Sequence, residues 1–158
     1  MTALAVLLCG GAGTAHAAAD CSITAVSVNF GTYDPAVAAP DDSVGSVTVT
    51  CRHVSGGAER VRYSVMLSNG LRGTSAATRA MSTGTGRLGY NVFMDPARSQ
   101  VWGDGTGGTV IASGAMTVGP GAGNSTQTVT QPIYGRIPQL QDAVPGTYAD
   151  TLLVTLTF

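Results

Sequence analysis

The sequence predicts an all-β domain built as a sandwich or barrel, and three observations predict it. Apolar and polar residues alternate in short runs, separated by Gly, Pro, Asn and Asp clusters at roughly 8–12-residue spacing. No window of 11–18 residues carries a 3.6-residue apolar period with helix caps. The composition has 22 Gly and only 11% charged residues, against ~25% in ordinary soluble domains. Ser and Thr are abundant, and such uncharged polarity suits turn-rich β proteins rather than helical bundles. A chain of 158 residues that is 44% apolar can bury one core and is short for two.

Taken in order, Ser22 to Phe30 is expected as a strand with Val26, Val28 and Phe30 on one face. Gly31–Thr32–Tyr33–Asp34–Pro35 breaks it, and Pro40–Asp41–Asp42 reads as a second turn. From Ser46 to Cys51, Val47, Val49 and Cys51 face one way and Ser46, Thr48 and Thr50 the other. Val61, Tyr63, Val65 and Leu67 line the next strand. Thr74 to Thr85 reads as a loop or weak strand. Leu88, Tyr90, Val92 and Met94 alternate up to the Asp95–Pro96 turn. Gln100 to Trp102 is a short strand and Gly103 to Gly108 a loop. Val110 to Val118 and Gln127 to Tyr134 flank a glycine-rich turn at Gly119 to Asn124. Thr147 to Phe158 is the strongest strand of all, with Tyr148, Leu152, Val154, Leu156 and Phe158 on one parity.

At the N-terminus, the apolar run Ala3 to Cys9 ends in small residues and Ala15–His16–Ala17, an A-x-A site. It is far shorter than the ~20 residues of a membrane span, and no Lys or Arg precedes it. Residues 1–17 are therefore expected to be a signal peptide cleaved after Ala17, leaving 18–158 as the domain with no membrane span. Cys9 leaves with the leader. Cys21 and Cys51 then form an even pair in an oxidising compartment, expected as a disulfide. It would close a loop of about 31 residues, worth at most roughly 3.7 kcal/mol by chain entropy. The alternative, a metal site on Cys51 and His53, lacks further ligands.

The chemistry is read mainly by exclusion. All eight basic residues are Arg and the net charge is −1, which offers no footprint for nucleic acid or an anionic membrane. His53 is expected in an exposed loop. No G-x-S-x-G elbow marks a nucleophile, and most carboxylates sit in turns, where Asp bonds local backbone. Gly103 to Gly108 fits G-x-G-x-x-G, but Thr109–Val110–Ile111 reads as strand where a dinucleotide site needs a helix. Asp104 lacks the rest of a calcium loop. Asn124–Ser125–Thr126 is a formal glycosylation sequon, read here as turn chemistry. No catalytic residue, metal or cofactor is predicted, and the chain is not expected to be an enzyme.

Four ordered blocks carry a resemblance. The first comprises Cys21, the FGTYDP of Phe30 to Pro35, and Cys51. The others are LGYNVFMDPARSQVWGDG from Leu88 to Gly105, PIYGRIP from Pro132 to Pro138, and PGTYADTL from Pro145 to Leu152 running on to Phe158. Together they resemble the spore coat protein U domain family, which includes subunits of Csu-type archaic chaperone–usher pili. The resemblance implies an immunoglobulin-like β-sandwich lacking its final strand. It implies a groove filled first by a periplasmic chaperone, then by an N-terminal strand of another subunit after passage through an usher. A route through the periplasm to a cell-surface fimbria, and roles in attachment and biofilm, are implied with it. Val26, Val28, Phe30, Leu152, Val154, Leu156 and Phe158 are the candidates for the groove and the core strands beside it. An exposed strand edge with little charge to protect it invites such pairing.

The competing expectation is a self-sufficient extracellular coat, matrix or lectin-like sandwich, stable without a partner. One departure from the family bears on position in the fibre. Cleavage after Ala17 leaves Ala18, Ala19 and Asp20 ahead of Cys21. Three residues reach only ~10 Å and carry no large apolar side chain. The chain is thus expected to accept a strand but not to give one, which suits a fibre tip. The loop at Trp102 and Asp104 is the candidate contact surface.

Overall fold

The computed structural model describes residues 18–158. The expected leader, with Cys9, lies outside the described residues. Nine strands and no helix are found among the described residues: β1 Ala19–Val26, β2 Asp41–His53, β3 Glu59–Leu67, β4 Ala80–Thr83, β5 Gly86–Gly89, β6 Asn91–Phe93, β7 Ala112–Val118, β8 Thr126–Ile137 and β9 Val154–Thr157. One sheet runs β1-β2-β8-β6, the other β7-β3-β9, and β4–β5 is a separate hairpin. Every strand pair is antiparallel. The two sheets form an immunoglobulin-like sandwich around one core.

That core follows the predicted alternation. Val47, Val49 and Cys51 from β2 meet Val61, Val65 and Leu67 from β3, with Met116, Val118, Ile133 and Ile137 beside them. On the outer face the hydroxyls of Thr48 and Thr130 pair at 2.9 Å, and those of Thr50 and Thr128 at 3.2 Å. Cys21 stands opposite Cys51 and is bonded to it. This disulfide ties the edge strand β1 to β2. Cys21→Ser is expected to lower stability by about 2–4 kcal/mol, read as an earlier midpoint in urea unfolding; an unchanged midpoint would contradict this.

Five local expectations are corrected. β1 starts at Ala19 and stops at Val26, so it begins before Ser22 and ends short of Phe30. Cys21 and Ile23 pack toward the core, hence Val26 takes the outward parity and is 65% exposed. Beyond it the chain crosses the inner face of β2 and β8 over two glycines. A Cβ on Gly45 would lie 2.5 Å from the Val26 carbonyl oxygen, and one on Gly135 would lie 2.5 Å from Val28 Cγ1 and 2.7 Å from Phe30 Cζ. The crossing resets the parity, and Val28 and Phe30 pack against the core.

Asp41 and Asp42 belong to β2 rather than to a turn; Arg136 donates to the Asp42 carboxylate through Nε at 2.7 Å and through Nη2 at 2.8 Å. The alternation from Leu88 to Met94 serves two partners: β5 pairs with β4, and β6 with β8. Trp102, expected as a surface contact, has no exposed area and donates its indole N–H to Val65 O at 3.0 Å. It meets β3 at Val65, the last residue paired with β7, and beyond that point Leu67 N–H donates to Gly103 O.

The final strand is shorter than expected. Ala149 bridges to Ser82 of β4, and regular pairing with β3 covers only Val154–Thr157. Phe158 is 55% exposed rather than inward, since it lies past the end of that pairing. The parity otherwise agrees: Tyr148, Leu152, Val154 and Leu156 pack against the core, while Leu153 is exposed.

Candidate functional site

Among the described residues, β1 and β9 are each hydrogen-bonded on one side only. Between them the sandwich is open. A cleft of about 300 Å³ is walled by Ala25 to Val28 and Phe30 on one side and by Tyr148 to Asp150, Leu152 and Val154 on the other. Its floor is the core itself: Leu67, Met81, Tyr90, Val92 and Ile133. It continues past Phe30, Met81 and Tyr148 into a wider part of about 820 Å³, lined by Gly31 to Tyr33, Pro35, Leu88, Ile137 and Ala143 to Thr147. Of the seven groove candidates, Val26, Val28, Phe30, Leu152 and Val154 line the narrow part. Leu156 packs against the core beside it, and Phe158 does neither.

The backbone of both walls is available for pairing. Ser68 N–H donates to Leu153 O, so Leu153 faces β3. Antiparallel pairs alternate, so Thr155 and Thr157 also bond to β3, while the N–H and C=O of Val154 and Leu156 point to the open side. On β2, His53 N–H donates to Ser125 O, and Val54 N–H donates to Ala18 O. The odd residues of β2 therefore serve β8 and its even residues serve β1. By the same alternation the main-chain groups of Ile23 and Ala25 face away from β2. The cleft has an apolar floor and a free strand edge on each side, which is what an added β-strand requires.

Polar contacts fix the walls. Tyr90 donates its hydroxyl to Asp150 Oδ2 at 2.8 Å, and Leu71 N–H donates to Asp150 Oδ1 at 2.8 Å. Burial, then the Asp150 hydrogen bond, pushes the Tyr90 phenol well above its ordinary range, so it remains a donor at any physiological pH. In the wider part Tyr33 donates its hydroxyl to Pro138 O at 3.0 Å and accepts from Gln141 N–H at 2.8 Å. The Gln141 side chain pairs with both backbone groups of Gly89, at 2.8 Å each. Sequence reasoning missed Met81, Tyr90, Tyr148 and Asp150 as parts of this site. Gly45 and Gly135 were the available signal, because glycine inside a strand marks a close backbone approach.

The remaining candidates lie elsewhere. Asp104 is exposed in the loop after Trp102, and its Oδ1 accepts from Thr106 N–H at 2.9 Å and from Thr106 Oγ1 at 2.7 Å. These bonds, chiefly the hydroxyl's, lower its pKa. The G-x-G-x-x-G run is this loop, with positive φ at Gly105, Gly107 and Gly108. His53 Nε2 lies 3.1 Å from Gly56 O. Asn124 sits in the turn before β8, its N–H donating to Gly121 O. Among the described residues no group of three or more His, Cys, Asp or Glu could hold a metal ion, and no helix is long and apolar enough to cross a membrane.

These features define a small disulfide-bridged β-sandwich with an open apolar cleft between two strand edges. The chain belongs to the Spore Coat Protein U domain family, whose model matches residues 11–155. Protein U of Myxococcus xanthus is 32% identical over 144 residues, which span 84% of this chain and 72% of that protein. Among solved structures, the chain is similar to the chaperone–tip adhesion subunit pre-assembly complex from archaic chaperone–usher Csu pili of Acinetobacter baumannii. That similarity has a TM-score of 0.49 and 27% identity, over 89% of this chain and 40% of the other.

Proposed function

We propose that this protein is a structural subunit of a chaperone–usher pilus, completed by a strand from another chain. The observation that carries the reading is the cleft with Ala25 on one wall and Leu152 and Val154 on the other. A strand entering it pairs with the main chain of both walls and buries alternate apolar side chains on Met81, Tyr90 and Ile133. Each such side chain contributes about 1.5–3 kcal/mol when fully buried. The first occupant is a periplasmic chaperone, and the lasting one is a strand of a neighbouring subunit delivered through an usher. The protein then passes from the periplasm to a surface fimbria. Its role is assembly and attachment, with no catalysis.

A place at the fibre tip extends this reading. Ala19 and Asp20 are paired with His53 and Arg52, so they belong to the domain's own sheet and are not free to enter a neighbour's cleft. The contact surface at such a tip includes the exposed Asp104 loop and excludes the buried Trp102.

Periplasmic expression with and without a cognate chaperone tests the reading. The expected result is soluble protein only as a 1:1 complex, from which a donor-bearing subunit displaces the chaperone. A stable monomer made without any partner supports the self-sufficient extracellular sandwich instead. Homopolymers of the purified, processed protein would end the tip assignment.

A further inference from the structure

Arg79 is the buried charged residue among those described, only 2% exposed. None of the salt bridges among the described residues includes it. Its guanidinium is spent on neutral acceptors: Nε and Nη2 donate to Ser68 O at 2.9 and 2.7 Å, and Nη1 donates to Asn91 Oδ1 at 2.9 Å. Removing a cation from water without a carboxylate partner is unfavourable, and an apolar side chain of similar volume would pack there without that penalty. What the apolar side chain could not supply is the planar fork that fixes where Ser68 sits.

Ser68 is the residue that holds the cleft wall. Its N–H donates to Leu153 O at 3.0 Å, and its Oγ accepts from Leu153 N–H at 2.9 Å. Both backbone groups of Leu153 thus close on one serine. The residues on either side, Leu152 and Val154, line the narrow part of the cleft. The contacts run from Arg79 to Ser68, from Ser68 to Leu153, and from Leu153 to the wall.

We infer that Arg79 is a positioning residue for strand capture: through Ser68 it sets the wall carrying Leu152 and Val154 before any occupant arrives. This rests on the cleft being a strand acceptor. A wall already in place lowers the ordering that binding must otherwise impose. A purely structural Arg79 would stabilise the empty and the filled domain equally, whereas a positioning Arg79 stabilises the filled domain more.

The test supplies the strand in the same chain. A short Gly–Ser linker after Phe158 carries an alternating Thr–Val strand, which returns antiparallel to β9. Thermal midpoints are measured with and without this extension in the parent chain and in Arg79→Met, Arg79→Lys and Ser68→Ala. In the parent chain the extension is expected to raise the midpoint by roughly 10 °C or more, the shift that a few kcal/mol gives in a domain of this size. In the variants the rise is expected to fall to less than half. Ser68→Ala keeps Arg79 and the packing, so the comparison stands even if Arg79→Met does not fold. An equal rise in parent and variants overturns the role of Arg79 and leaves the cleft as an acceptor. No rise in the parent overturns the acceptor reading, and the inference falls with it.

Discussion

Trp102→Ala is expected to leave little folded protein. The side chain has no exposed area and its indole N–H donates to Val65 O at 3.0 Å. Truncating a buried Trp to Ala costs about 3–5 kcal/mol through lost burial and the cavity left behind. The Val65 carbonyl, which is also paired with Ala112 of β7, loses this second donor, a further loss of about 0.5–1.5 kcal/mol. Together these rival the 5–15 kcal/mol of a typical domain, before any weakening from the open cleft. Trp102→Phe keeps most of the volume and loses only the donor, so it should fold with a lower midpoint. Asp104→Ala, two residues away in an exposed turn, should change the midpoint very little. The check is circular dichroism on heating the three variants side by side; a Trp102→Ala protein with the parent midpoint would contradict the burial.

Val154→Asp is expected to abolish strand capture, and Thr155→Asp to leave it nearly intact. Val154 lines the cleft together with Leu67 and Val92, while Thr155 is exposed on the opposite parity. A carboxylate at 154 keeps some water in the empty domain, so stability falls by about 1–3 kcal/mol. Once a strand covers it, the charge is sealed in an apolar cleft whose lining includes no Arg, Lys or His. The penalty therefore falls on the complex more than on the free protein. Surface changes such as Thr155→Asp usually stay within ±0.5 kcal/mol. Pull-down by a donor-bearing subunit, together with the unfolding midpoint of each free variant, separates the two effects. Capture lost in Thr155→Asp but retained in Val154→Asp would mean that the facing of β9 is off by one residue.

Much of this fold is legible in the sequence where a strand keeps its partners along its whole length. β2 lies between β1 and β8, so Val47, Val49 and Cys51 alternate without interruption. The reading fails where the chain changes partner. Val26 and Val28 look equivalent in a period-two pattern, yet the crossing over Gly45 and Gly135 falls between them and turns one outward. Leu88, Tyr90 and Val92 form a single alternation, yet the pairing moves from β4 to β8 within it. Trp102 lies between the Asp95–Pro96 turn and the glycine-rich loop and reads as a surface contact, because its hydrogen bond to β3 is long-range and leaves no local signal. Arg79 and Asp150 are polar, and nothing local shows that one is buried or that the other braces a wall. Residues of both walls, Val26, Val28 and Phe30 with Leu152 and Val154, were therefore legible, while the floor at Met81 and Tyr90 and the brace at Asp150 were not.

Amide hydrogen exchange along β9, with and without a bound donor strand, tests the central claim most directly. Leu153, Thr155 and Thr157 are the residues turned toward β3, while Val154 and Leu156 are turned toward the open cleft. In the free protein the account predicts fast exchange at Val154 and Leu156 and slow exchange at Thr155. When the cleft is filled, Val154 and Leu156 should slow by at least about tenfold, with Ala25 on the facing wall slowing alongside them. If Val154, Leu156 and Ala25 exchange at the same rate in the free protein and in its complex with a donor-bearing subunit, the strand binds elsewhere and the acceptor cleft is contradicted.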